Sequence, residues 1–171
     1  MLLGVFTKAR VVVAPILSAL YVVPKIAIFP LVLVIFGIGD SSKWVIVAIG
    51  AFFLAFFNTL TGVMQTPRIY LDVARNTGAS RLQFFSTVAW PAALPNMFTG
   101  LRLAVGTSFI VIAAAEFVGS KSGVGWMIWT AWQTMSVSRM FVGIIAISFM
   151  GYLSQLIIEL VGNHFTRWTG H

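Results

Sequence analysis

Few side chains in this sequence can carry ionic, acid–base or ligand chemistry. Its 171 residues hold four Asp and Glu, eleven Lys and Arg, two His and no Cys. The densest polar run is LDVARNTGASRLQFFSTVAWPAALP, Leu71–Pro95, with Asp72, Arg75, Asn76, Ser80, Arg81 and Gln83. These groups suit a shaped contact surface rather than bond-breaking chemistry. His164 and His171 lie near the end without ligand-like neighbours, so neither a metal nor a cofactor is expected. No G-x-x-x-x-G-K-[ST] occurs, and GSKSG at 119–123 lacks the Gly-Lys pair. The chain is therefore expected not to be an enzyme, and any nucleotide-driven work needs another subunit.

The elements that hold these residues follow from composition. Charged residues make up 9% of the chain and hydrophobic ones 59%, with mean hydropathy +0.97. Soluble domains carry about 25% charged residues. Trp44–Val63 and Met140–Ile158 contain no charge, and each is close to the ~20 residues that cross a hydrocarbon core. The fold class is all-α, a polytopic helical membrane protein. Alternating strands of an outer-membrane barrel are absent. The net charge of +7 is scattered between apolar runs, so nucleic acid is not an expected partner.

About four spans are expected, within Val11–Ile38 (interrupted by Pro15, Pro24 and Pro30) and at about Trp44–Val63, Thr99–Val118 and Met140–Val161. Met1–Phe6 is too short for a signal peptide and reads as the tail of a further span. With the N-terminus inside, Lys8, Arg10, Arg68, Arg75, Arg81, Arg102 and Arg167 face the cytoplasm, and Lys43, Lys121 and Arg139 face outward. Lys25 is left undecided. Seven against three favours both termini in the cytoplasm, with the polar run on the same side.

The run reads as helix, glycine, helix. Thr66 is the expected N-cap, with Pro67 at the first helical position. Gly78 supplies a left-handed end near Thr77. Ser80 and Gln83 have capping-box spacing. Pro91 is expected to stop the second helix and Pro95 to open the third span. Ile69 and Val73 share one face, as do Phe84, Phe85 and Val88, while Arg68, Asp72 and Arg75 form a polar side. Such an element either rests on lipid headgroups or docks a soluble partner, and two capped helices favour a fixed shape.

Here the sequence resembles a family. The stretch is similar to the EAA loop of bacterial ABC-importer permeases: E-A-A, three residues, Gly, nine residues, Ile, one residue, Leu-Pro. Asp72-Val73-Ala74 stand at E-A-A, Gly78 at the Gly, Val88 at the Ile and Trp90-Pro91 at Leu-Pro. Asp for Glu, Val for Ala, Val for Ile and Trp for Leu are the departures. VPKIAIFPLVLVIFGIGDSSK, GASRLQFFSTVAWPAALPNMFTGLRLA and AAEFVGSKSGVGWMIW resemble the nitrate/sulfonate/taurine/bicarbonate branch, and the likeness covers nearly the whole chain.

The resemblance implies a single transmembrane domain over 1–171, part of a MetI-like type I permease core in the bacterial inner membrane, with one or two further spans before the region given. Region 66–91 is then the cytoplasmic coupling loop. Implied partners are ABC ATPase subunits, a solute-binding protein and a second permease copy forming a homodimer. Asp72, Ala74, Gly78, Ala79, Ser80, Arg81, Val88 and Pro91 are the implied ATPase-contacting loop residues. The implied substrate is a small anion such as a sulfonate or nitrate, with taurine, bicarbonate and neutral heterocycle precursors open. An ATP-independent secondary transporter or channel, or a truncated inactive relative, are the alternatives.

Lys25 and Glu116 are candidate pathway or gate residues. A lysine at mid-bilayer costs ~2.5–3.5 kcal/mol on insertion scales, so snorkelling to the cytoplasmic face is expected, the alternative being a wet cavity that attracts an anion. Glu116, near the outer end of the third span, is expected to pair with Lys121 or Arg139 unless it serves an outer gate. Trp126, Trp129 and Trp132 are expected to anchor among headgroups, the alternative being an external lid. Ala51 and Ala55, one turn apart, permit close helix packing.

Overall fold

Hydrocarbon offers backbone N–H and C=O groups no partners, so apolar runs of this length satisfy them within helices. The computed structural model describes residues 7–169 and consists of helices and short connections. They are α1 (Thr7–Val22), α2 (Lys25–Phe36), α3 (Asp40–Met64), α4 (Arg68–Asn76), α5 (Arg81–Gly119), α6 (Val124–Gln133) and α7 (Val137–Phe165). No strand occurs among the described residues. Helices α3, α5 and α7 are long and apolar enough to cross a membrane, and α1 with α2 makes a fourth crossing if the bent pair counts as one. The all-α reading with about four spans is met. The expected span tail at Met1–Phe6 and His171 lie outside the described residues.

The first span is less regular than expected. Residues Arg10–Val22 and Lys25–Phe36 meet at 90°. Pro24 causes the break: it has no N–H for α1's ladder, and it adopts an extended conformation (φ −62°, ψ 113°) that starts α2. Pro15 and Pro30 remain inside their helices. Helix α2 then runs antiparallel to α3, packing Phe29 and Val32 against Ile46 and, on α5, Ala115.

The third span also differs. Pro91 does not stop a helix and Pro95 does not open one, because α5 runs unbroken for 39 residues through both. The reason lies one turn earlier, where Phe85–Ala89 forms a π-helical turn and Trp90 N–H bonds back to the Phe85 carbonyl. A proline ring normally collides with the carbonyl four residues before it. The wider turn makes room for Pro91. The Ser86 hydroxyl donates to the Leu82 carbonyl (3.0 Å) and the Thr87 hydroxyl to that of Gln83 (2.6 Å), covering acceptors in the widened turn.

Helices α3 and α5 form the centre, antiparallel and closely apposed. A Cβ at Gly62 would stand 2.7 Å from Asn96 Cβ, and one at Gly100 would stand 2.6 Å from Asn58 Cβ and 3.3 Å from Ala55 Cα. Packing of small residues replaces the hydrophobic effect as the force between helices in lipid, and Ala55 has the close-packing role its size permits. Val63, Ala89 and Ala93 continue the same interface beside Gly62. Helix α7 lies antiparallel to α5, with Gly162 against Phe98 and Gly151 against Phe109. These pairings put α4, the start of α5 and the end of α7 at one end of the bundle, and the α2–α3 turn and α6 at the other.

Candidate functional site: the α4–α5 loop and the ionic groups of the spans

Local rules shape the loop. Helix α4 begins at Arg68 with Pro67 in the capping position, and Thr66 is not the cap: its Oγ1 is buried without a hydrogen-bond partner. Pro67 has no side-chain oxygen to accept the first amides, so the chain enters α4 through its fixed φ without a side-chain cap. At the other end Gly78 has φ +66°. Gly78 N–H bonds to the Arg75 carbonyl at 3.1 Å and Ala79 N–H to the Ala74 carbonyl at 2.9 Å. These two bonds are the Schellman closure of a helix, which needs the left-handed residue. Two residues on, the capping box is complete: Ser80 N–H donates to Gln83 Oε1 (2.8 Å), and Gln83 N–H donates to Ser80 Oγ (3.3 Å).

Helix stop and helix start thus follow within three residues and hold α4 against the beginning of α5. Between them is a cavity of about 480 Å3 lined by Leu71, Ala74, Arg75, Ala79, Arg81 and Phe84. Ala74, Ala79 and Arg81 of the expected contact set meet there. Gly78 and Ser80 shape it from the turn. Asp72 is exposed on α4 but does not line the cavity, and Val88 and Pro91 sit half-buried farther along α5. No residue of α4 is buried, and Ile69, Tyr70, Val73 and Leu82 leave large apolar side chains exposed. Phe84 links this cavity to the membrane part, because it also packs on the Val63, Ala89 and Ala93 cluster.

The ionic groups of the spans are placed differently from expectation. Glu116 pairs with neither Lys121 nor Arg139; its Oε2 accepts from the Gly125 backbone N–H at 2.7 Å. Gly123 and Gly125 let the carboxylate approach this closely, since a Cβ on Gly123 would stand 2.1 Å from Glu116 Oε1. The backbone amide at the start of α6 therefore takes the place of the expected lysine or arginine. Trp129 stacks on Phe117 (5.7 Å) and meets Trp132 at 4.8 Å, so the indoles are partly held within the protein, although Trp126 and Trp132 keep exposed surface.

Lys25 stands at the elbow between α1 and α2. Its Nζ donates to the Tyr21 carbonyl and lies 4.7 Å from the Tyr21 ring centroid and 4.8 Å from that of Phe53. Cations over aromatic faces at this distance are attracted by the ring quadrupole.

One ionic contact escapes sequence reasoning. Arg102 Nη1 of α5 and Glu159 Oε2 of α7 are 3.0 Å apart across 57 residues of sequence. They line a cavity of about 260 Å3 with Pro95, Thr99 and Asn163 at the loop end of the bundle. The available signal was one charge of each sign in two antiparallel apolar runs. Among the described residues no three His, Cys, Asp or Glu side chains gather in metal-binding geometry.

Comparison with known proteins places this architecture. The family described as the binding-protein-dependent transport system inner membrane component matches residues 1–168. The SsuC permease of Bacillus subtilis (strain 168), assigned to aliphatic sulfonates transport, is 35% identical over 167 residues, 98% of this chain and 60% of the relative. The taurine transport system permease protein TauC of Escherichia coli (strain K12) is 30% identical over 168 residues, 98% of this chain and 61% of its own. The nitrate import permease protein NrtB of Leptolyngbya laminosa is 33% identical over 162 residues, 95% of this chain and 58% of its own. The chain thus spans about three fifths of the length of these curated relatives. A multi-pass helical bundle and a match along almost its whole length lead to one conclusion: the chain belongs to the family of inner-membrane permease components of binding-protein-dependent transport systems.

Proposed function

We propose that this permease subunit forms part of the substrate path of an ABC importer and is driven by a separate ATPase subunit docked on region 66–91. The cavity between α4 and α5 carries the reading. It is lined by Leu71, Ala74, Arg75, Ala79, Arg81 and Phe84 and is set by the closure at Gly78, and the same loop leaves Ile69, Tyr70, Val73 and Leu82 exposed. An apolar hollow with a basic rim fits a protein surface, and its connection through Phe84 to the α3–α5 interface lets movement of the loop reach the spans.

In this arrangement both chain termini are cytoplasmic, a second permease copy completes the path, and a solute-binding protein delivers substrate on the α6 side. The substrate class is a small anion. The names of the sulfonate, taurine and nitrate permeases it resembles support this class.

The chain has no cysteine, which makes the test direct. Ala79→Cys would be crosslinked in native membranes, and the adduct identified by mass. Crosslinking to an ATPase subunit, lost on ATP-driven closure or altered by it, is the expected result. Uptake that persists without ATP, with no adduct to an ATPase, would replace this reading with a secondary transporter or channel.

A further inference from the structure

Lys25 is a partly covered charge at the elbow between α1 and α2, level with the middle of α3, and among the described residues none of the Asp or Glu side chains pairs with it. Its depth follows from Phe53, whose ring lies 4.8 Å from the ammonium and which is the fourteenth of the 25 residues of α3. A helix of that length spans about 37 Å at 1.5 Å per residue, so its midpoint lies near the centre of a bilayer. The antiparallel packing of α2 on α3 gives the same depth, with Phe29 and Val32 against Ile46 toward the outer end and Lys25 at the inner end of α2.

Each of the four carboxylates is placed elsewhere. Asp40 pairs with Lys43, Glu159 pairs with Arg102, Glu116 accepts from Gly125 N–H, and Asp72 is on α4 at the loop end. Lys25 has the Tyr21 carbonyl and the faces of Tyr21 and Phe53. These partners orient the ammonium without neutralising it. A lipid phosphate belongs to the headgroup layer, about 15 Å from mid-bilayer, beyond a lysine stem. Charged groups at such depth pair with one another or with backbone carbonyls, and they mark ion and substrate pathways.

We propose that Lys25 is an anion-pairing site of the translocation path, where a small oxyanion crossing the membrane meets the ammonium held against Tyr21 and Phe53. This rests on the permease reading above and gives its substrate class a location.

The test uses the whole transporter in membrane vesicles. Lys25→Cys provides a single thiol in this chain. It is expected to react with sulfonatoethyl methanethiosulfonate, an anionic reagent that does not cross lipid, and excess nitrate, taurine or an alkanesulfonate is expected to slow the reaction. Modification with aminoethyl methanethiosulfonate, which rebuilds a cationic head, should restore anion uptake. Lys25→Gln should lower uptake by about tenfold or more, the worth of one charge-assisted hydrogen bond, while Lys25→Arg retains most of it. A thiol at 25 that reacts with N-ethylmaleimide in detergent but not with the anionic reagent in vesicles overturns the proposal. So does labelling that none of the three anions slows, or uptake by Lys25→Gln equal to the parent's. Thiol accessibility reads the path whether or not Ala79→Cys crosslinks to an ATPase, so the two readings fail separately.

Discussion

Glu116 Oε2 accepts the backbone N–H of Gly125 at 2.7 Å, so a carboxylate on α5 caps the first turn of α6. The first amides of a helix lack partners within it, and a negative group there is favoured by the helix dipole. The carboxylate occupies the space a side chain on Gly123 would take, and the Ala113 backbone together with the carboxylate occupies that of Gly125. With the Phe117–Trp129 stack, this contact ties the short α6 to the end of a membrane-length helix.

Removing it should loosen α6. Glu116→Ala leaves the Gly125 amide without its acceptor, a loss of about 1–3 kcal/mol for a group away from water. Glu116→Gln keeps an oxygen in place and should recover most of that. Hydrogen exchange over residues 120–134 measures it, and equal exchange in all three proteins would refute the cap.

Gly78→Val is expected to abolish coupling. A residue other than glycine in the left-handed region costs about 1–2 kcal/mol, more with a branched Cβ, so the bonds from Gly78 to Arg75 and from Ala79 to Ala74 would open. Gly78→Asn should remain close to the parent. The measurement is substrate uptake beside ATP hydrolysis, and normal uptake by the valine variant would sink the idea.

Close packing between α3 and α5 predicts a contrast between glycines of the same two helices. Gly100→Ala places a methyl 2.6 Å from Asn58 Cβ and 3.2 Å from the Leu54 carbonyl, and overpacking of this kind costs about 1–3 kcal/mol. Gly50→Ala meets Val111 only at 3.8 Å and should be silent. Thermal unfolding in a mild detergent ranks the two, and equal midpoints would contradict the interface.

The Arg102–Glu159 pair is half exposed, with side chains at 41% and 47%, so its contribution should be small. A double-mutant cycle with Arg102→Met and Glu159→Gln should give a coupling of about 0.2–1 kcal/mol that falls with salt. A coupling of several times that size, insensitive to salt, would mean that the pair is shielded from water in the assembled protein.

What the sequence made legible was local or long. Gly78 and the Ser80–Gln83 box act over three or four residues, and both stand where their spacing puts them. The uncharged runs fix α3 and α7 because membrane thickness admits few other solutions. Failures came where distant groups decide. Pro91 looks like a stop until the π turn before it is seen. Glu116 has two cations close in sequence and bonds to an amide instead. Thr66 has the right type for a cap, but the chain turns at Pro67 and leaves its hydroxyl buried. Arg102 and Glu159 meet only through the packing of α5 on α7. For the eight loop residues, the sequence marked the turn, while the cavity that three of them, Ala74, Ala79 and Arg81, line depends on how α4 folds back on α5.

The π turn at Phe85–Ala89 has one more consequence. It amounts to a single residue inserted into an α-helix, which shifts everything before it by about 100° in phase around the axis. The columns of side chains that grip α3 within the membrane therefore do not continue in register to Arg81–Phe84. In this sense α5 is a shaft spliced from two differently indexed pieces, and Phe84, on the earlier piece, still reaches the Val63, Ala89 and Ala93 cluster across the splice. Deleting one residue of the splice would restore a uniform screw and turn Phe84 and the α4–α5 cavity by about 100° relative to that cluster.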